Sequence, residues 1–249
     1  MSISISTIKH IRNLQQKKFR KESRLFVAEG VKTVQELINS SFEIDSIYST
    51  ETFDFMDNLD DELIHIIKEK ELERISGLRS PNKILAVAHI PEVKPIDWNT
   101  SLILILDSIN DPGNVGTIMR TAKWFGVETI ICSDDCADAY DRKVVQSTMG
   151  ALFHINIQYA ELSIVIDECK KHDFSIIGAA MSGKSIYEYS KTDKTALVIG
   201  SESHGIGQAI LDTCDATVTI PNNEVDQKVE SLNAGIATSI ILSELTKSR

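Results

Sequence analysis

From residue 101 onward, short blocks of consecutive apolar residues alternate with longer stretches whose apolar positions recur every three or four residues. The first block, Leu102-Ile103-Leu104-Ile105-Leu106, has no polar alternation. That pattern suits a strand buried on both faces rather than one with a wetted side. The same reading predicts strands at 101–107, 128–133, 154–159, 174–181, 195–201 and 216–221. Between them fall predicted helices at 114–125, 141–150, 161–172 and 207–213, the first stopped by Gly126. A last helix spans 231–247, with Ile236, Ile240, Ile241 and Leu245 as its expected buried stripe. Strand–helix alternation of this kind makes an α/β fold with a parallel sheet covered on both faces.

The preceding hundred residues are more polar. Residues 5–20 read as one basic helix, 24–30 as a strand running into a turn, and 31–40 as an amphipathic helix with Val34, Leu37 and Ile38 on one face. Strands are expected at 44–48, 63–67 and 84–88, and a charged helix at 68–78. Pro91 and Pro95 then bracket a stretch without periodicity, which is the composition of a connector. Two domains follow, a small α/β domain over 1–94 and a larger one over 95–249.

Composition narrows the class. No apolar run approaches the roughly 18–20 residues that cross a bilayer, so no membrane partner is expected. Ile3, Ile5 and Ile8 alternate with polar residues ahead of Lys9, which is not a secretory leader pattern. Cys132, Cys136, Cys169 and Cys214 follow no zinc or redox spacing. Reduced thiols, no metal site and a cytoplasmic location are the expectation. The formal net charge is −10, but residues 1–32 carry eight basic and two acidic side chains, a net of +6 that leaves −16 for the remainder. A basic segment meets phosphates by its local sign rather than by the total. Lys9, Lys17, Lys18, Arg20 and Lys21 are therefore candidate RNA contacts, the alternative being a solvated helix face.

Three segments carry candidate chemistry. Asp111-Pro112-Gly113-Asn114 fits a turn in which Asn114 could cap the following helix, and Arg120 stands one and a half turns further on. An apolar strand runs straight into Gly200-Ser201-Glu202, and Gly205 and Gly207 permit sharp turns that leave N–H groups free for a ligand. Ile220-Pro221 is separated from Ser231-Leu232-Asn233 by an acidic stretch, 222–230, and Ser231 suits a helix N-cap. The carboxyl ends of parallel strands are where such sheets place ligands. Gly113 and Gly116 do not make the G-x-G-x-x-G turn, which speaks against a dinucleotide-dependent oxidoreductase.

Together these segments closely resemble the signature motifs of the SpoU, or TrmH-type, RNA 2′-O-methyltransferases. The first motif has the form Asp-Pro-Gly-Asn-x-Gly…Arg-Thr-Ala, found at 111–122; the second is Gly-Ser-Glu-x-x-Gly, at 200–205; the third is Ile-Pro followed by Ser-Leu-Asn. The resemblance spans nearly all of 100–249. Residues 20–90, above all 25–30 and 80–87, look like the L30e-like substrate-binding domain that often precedes the catalytic one. Two departures stand out. The loop 222–230 is longer and more acidic than is usual, and Gln146 occupies a position that often holds arginine.

The resemblance implies a parallel sheet closed by a C-terminal trefoil knot, a homodimer, and S-adenosylmethionine as cofactor, lined by Gly200, Ile220 and Leu232. It implies a catalytic set of Arg120, Asn114, Glu202, Ser231 and Asn233. The family's usual assignment would make Arg120 the proton acceptor; because a guanidinium stays protonated and is a poor base, Arg120 is expected instead to clamp the phosphate beside the reacting ribose and stabilise the developing alkoxide. Asn114 would orient Arg120 or the ribose, and Glu202 would fix the geometry. The expected substrate is ribosomal RNA. The alternatives are transfer RNA and a non-catalytic RNA-binding or ribosome-assembly protein on the same scaffold.

Overall fold

The computed structural model describes residues 3–222 and 231–247. These residues form two compact units, Met1–Glu92 with Asp138–His154, and Val93–Ala137 with Ile155–Arg249.

The first unit begins with helices α1 (Ile5–Asn13) and α2 (Lys17–Ser23). The expected single helix over 5–20 is thus two. Leu14 closes α1, and its N–H reaches back to both His10 O and Ile11 O, a tightening last turn. There follow β1 (Leu25–Glu29), α3 (Val31–Ile38), β2 (Ile44–Ser49), β3 (Ile64–Ile66), α4 (Glu69–Ile75) and β4 (Ile84–His89). Helix α4 is shorter than the predicted 68–78, and the residues after Ile75 form a loop. The sheet order is β1-β4-β2-β3, antiparallel except between β2 and β3. Its apolar core gathers Ile8, Ile11, Leu14, Val27, Ile75 and Leu85.

The second unit opens with β5 (Leu102–Asp107), α5 (Pro112–Trp124) and β6 (Thr129–Cys132). The chain then contributes α6 (Arg142–Thr148) to the first unit before continuing. The remaining elements are β7 (Asn156–Tyr159), α7 (Leu162–Lys171), β8 (Ser175–Ser185), β9 (Thr195–Gly200), α8 (Gln208–Leu211), β10 (Ala216–Thr219) and α9 (Ala234–Thr246). All six strands are parallel, in the order β10-β8-β9-β5-β6-β7. Every residue of β5 is buried, as its unbroken apolar run requires. Strands β6 and β7 extend the sheet to one side of β5, and β9 lies on its other side. The order therefore reverses at β5, and Asp107 pairs in register with Gly200 at the carboxyl ends of the two strands. That is the switch point at which such sheets hold ligands.

Segment 138–154 departs from the expected division at residue 94, since it belongs to the first unit. Two features hold it there. Arg20, 2% exposed on α2, donates from Nη2 (2.6 Å) and Nε (3.1 Å) to Asp138 Oδ2. Tyr140 and Phe153 join Phe26 in a ring cluster with centroids 5.1 and 6.3 Å away. Burial pushes the Tyr140 hydroxyl well above the usual phenol range. Arg20 is thus corrected from an RNA contact to a buried structural cation. Its charge is matched by Asp138, and its third hydrogen bond goes to Leu14 O at 2.8 Å.

Candidate active site

The first motif loop starts where β5 ends. Asp107, 8% exposed, accepts from Gly207 N–H at 2.7 Å, so the loop after β9 is tied to the end of β5. Ser108 follows in the left-handed region (φ 58°) and donates to Asp107 Oδ1 at 3.1 Å. Asp107 was not among the sequence candidates. The available signal was an acidic residue ending an otherwise apolar strand next to a motif.

Helix α5 is capped by Asp111, whose Oδ1 accepts the Asn114 N–H at 2.8 Å, with Pro112 at the first helical position. Asn114 is therefore not the cap that its sequence context suggested. Because Asp111 takes that role, the Asn114 amide side chain is released for a tertiary contact. Its Oδ1 accepts from Asn233 Nδ2 at 2.7 Å. The same Nδ2 donates to Glu202 Oε1 at 2.7 Å, and that oxygen also accepts from Ala234 N–H at 3.0 Å. Asn233 Oδ1 meanwhile caps α9 through the N–H groups of Gly235 (3.0 Å) and Ile236 (3.2 Å). Two backbone donors at Oδ1 and two oxygens at Nδ2 leave one satisfied orientation of this amide. Three motifs, the outermost pair of bonded residues 119 apart in sequence, thus meet at Asn233.

Asn233, not Ser231, is the N-cap, and α9 starts at Ala234. The buried stripe of α9 is also shifted. Thr238, Ile241, Leu242 and Leu245 are buried, while Ile236 is 52% exposed and Ile240 half-buried. The helix packs on α5 through small groups. A Cβ on Gly235 would lie 2.9 Å from Thr117, and the Thr121 and Ser239 hydroxyls are 3.1 Å apart.

The second motif folds tightly on itself. Ser201 and Gly205 exchange backbone hydrogen bonds of 3.0 and 2.8 Å, with Gly205 at φ 69°. A Cβ on Gly200 would fall 2.1 Å from the Gly205 carbonyl carbon, so no larger residue fits there. Gly205 itself has no atom of any other described residue within 4 Å of where a Cβ would stand. Ile220 is half-buried, Leu232 is 44% exposed, and Ser231 is exposed. The acidic stretch lies outside the described residues from 223 to 230.

Arg120 projects from α5 into solvent and forms no hydrogen bond or ion pair with any described residue. The structure therefore joins Asn114, Glu202 and Asn233, and leaves Arg120 and Ser231 outside that network. Neither Asn114 nor Glu202 bonds Arg120; both bond Asn233. In the first unit, Lys9, Lys17, Lys18 and Lys21 are exposed, with Lys18 paired to Glu22 at 3.8 Å.

Comparison with known proteins agrees with this geometry. Residues 101–243 match the model of the SpoU rRNA Methylase family. The chain belongs to that family. Residues 6–86 match a second model, the MRM3-like substrate binding domain. Among relatives of the SpoU chain, the 23S rRNA (guanosine(2553)-2′-O)-methyltransferase RlmP of Bacillus subtilis (strain 168) is 28% identical over 240 residues, covering 96% of this chain and 95% of that one. A TrmH-family structure from Porphyromonas gingivalis is 32% identical, with a TM-score of 0.87 and 98% of each chain covered. An AdoMet-bound rRNA methyltransferase from Sinorhizobium meliloti superposes with a TM-score of 0.88 at 26% identity, covering 98% of this chain and 97% of that one.

Proposed function

We propose that the protein transfers a methyl group from S-adenosylmethionine to a ribose 2′-hydroxyl of ribosomal RNA, working as a homodimer in the cytoplasm. The observation that carries this reading is the meeting of three motif loops at Asn233, beside the carboxyl ends of β5 and β9.

The site suits the cofactor. Gly205 opens on space free of other described residues, and Ile220 and Leu232 present partly exposed apolar surface. Gly200, Ile220 and Leu232 would hold S-adenosylmethionine, which when bound supplies an electrophilic sulfonium methyl. The trefoil knot of the family is assigned to the C-terminal segment on the same reading.

A 2′-hydroxyl is a weak acid, so its oxygen must be held in line while charge develops on it. Arg120 is suited to that charge. Its guanidinium is permanently protonated, carries five donors, and has no partner among the described residues to release first. It would grip the neighbouring phosphate and stabilise the developing alkoxide, the proton leaving through phosphate or water. Asn114 and Glu202 act through Asn233, which they hold in place, so they are positioning residues. Ser231, exposed beside Leu232, would contact substrate.

We read residues 1–94 as the RNA-holding part and 95–249 as the catalytic part, with segment 138–154 serving the former. Lys9, Lys17, Lys18 and Lys21 would grip the RNA backbone. The dimer is supported by apolar surface on α5 and α9, where Trp124 is 85% exposed and Ile236 52% exposed. No helix among the described residues is long and apolar enough to cross a membrane. The test is calorimetric titration with S-adenosylmethionine, followed by mapping of ribose methylation in cells with and without the gene. Cofactor binding and one lost methyl on ribosomal RNA are expected. A lost methyl on transfer RNA would move the substrate, and no cofactor binding would refute the reading.

A further inference from the structure

In the first unit, Arg142 packs against the turn after α4, which Arg74 and Arg79 bracket in sequence. Glu29, 3% exposed at the end of β1, accepts from Gly77 N–H at 3.0 Å and from the Ser76 hydroxyl. Ser76 Oγ in turn accepts the Leu78 N–H at 3.0 Å. A buried carboxylate thus shapes the turn after α4, each of its oxygens accepting one hydrogen bond from it. Against that turn lies Arg142. A Cβ on Gly77 would stand 2.7 Å from each of its Cδ, Nε and Nη1 atoms, so the guanidinium rests on the bare glycine backbone. Arg142 is half-buried, lines a cavity with Gln15, Glu29 and Tyr140, and makes no hydrogen bond or ion pair with any described residue. Arg74 and Arg79, on either side of the turn in sequence, are exposed and equally without such partners.

A guanidinium held by packing, with its donors unspent, is preorganised for a bidentate anion. Glu29 lines the same cavity but makes no hydrogen bond or ion pair with Arg142; its described bonds go to Ser76 and Gly77. We infer that Arg142, set on Gly77 in a turn that Arg74 and Arg79 bracket in sequence, is a phosphodiester clamp for the RNA substrate. This rests on the reading of the protein as an RNA-modifying enzyme. It adds an RNA contact supplied to the first unit by a segment from within the SpoU-matched region.

The experiment measures binding of the full chain to an in vitro transcript of 23S rRNA across a potassium chloride series. Arg142→Gln is expected to weaken binding about threefold to tenfold near physiological salt and to reduce the slope of log K against log salt by about 0.7–0.9, one phosphate contact. Gly77→Ala pushes the guanidinium off its seat without changing charge, and is expected to weaken binding while the cofactor titration stays unchanged. Arg79→Gln touches no packed group and is expected to lower the slope even if the other variants fold poorly. Affinity within twofold of wild type together with a slope lowered by less than about 0.3 for both Gly77→Ala and Arg79→Gln would overturn the clamp. S-adenosylmethionine affinity, measured in parallel, separates that result from failure of the enzyme reading.

Discussion

Replacing Arg20 with Met removes a buried cation and keeps most of its aliphatic volume. The wild-type side chain is 3% exposed and gives three hydrogen bonds, two to Asp138 at 2.6 and 3.1 Å and one to Leu14 O at 2.8 Å. Asp141 Oδ2 lies 3.7 Å away as a weaker second anion. The substitution strands Asp138, whose side chain is only 15% exposed, and orphans a buried carbonyl. Breaking a buried pair from one side costs about 3–5 kcal/mol, against about 0.2–1 kcal/mol for an exposed pair. Domains are commonly stable by about 5–15 kcal/mol, so a large share of the first unit's stability is at stake. Urea unfolding followed by circular dichroism reads the change as a shift in midpoint. Asp138→Asn is expected to lose less, since an amide oxygen still accepts from Arg20. The double variant should lose less than the sum of the two single losses. The reasoning is refuted if Arg20→Met unfolds within about 1 kcal/mol of wild type yet binds RNA with a lower salt slope, because Arg20 would then behave as an exposed RNA contact.

Other consequences are as direct. Arg120→Lys keeps the charge but loses the planar fork; a drop in kcat of about 10²–10³ with unchanged cofactor affinity is expected, and near-normal turnover would exclude the bidentate role. Asn233→Ala removes the α9 cap and frees Asn114 Oδ1 and Glu202 Oε1. It should cost about 1 kcal/mol or more in denaturation and weaken S-adenosylmethionine binding by calorimetry, and a variant that did neither would show the junction to be incidental. Trp124→Glu with Ile236→Glu should give a monomer in analytical ultracentrifugation, and a persistent dimer would place the interface elsewhere. The Cys136 thiol is lowered to about 7, chiefly by a hydrogen bond from Cys132, helped by Ser133 and the Ile109 N–H. An unfolded thiol titrates near 8.5, so the unfolded chain holds more protons between those values. Stability from this group is complete above the unfolded value and is lost as pH falls through about 7. Cys136→Ser should flatten that part of a stability–pH curve, and an unchanged curve would deny the thiolate.

Much of the second unit was legible because its signals are local. The run at Leu102–Asp107 declares a buried strand by itself, and Asp111-Pro112 opens a helix by its own chemistry. The three motifs could be seen separately, and their meeting at Asn233 follows from the pairing of β5 with β9 together with the packing of α9 on α5. What stayed hidden depends on partners far away in sequence. The Arg20–Asp138 pair spans 118 residues, and nothing around Arg20 distinguishes it from Lys17, Lys18 and Lys21, which do face water. The allegiance of 138–154 was hidden for the same reason. Helix α9 starts three residues beyond the expected 231 because Ser231 and Asn233 are both good caps; the bonds that Asn233 donates to Glu202 and Asn114 decide between them.

The loan of Asp138–His154 to the first unit has a practical side. The backbone passes between the two units at three places, after Glu92, after Ala137 and after His154. A protease cutting the proline-flanked connector would nick the molecule without releasing either half. A fragment ending at Glu92 would lack the carboxylate that neutralises Arg20 and two rings of the cluster around Phe26. The smaller half is not a module that can be cut away at its obvious seam; to be obtained alone it would need residues 138–154 grafted back onto it.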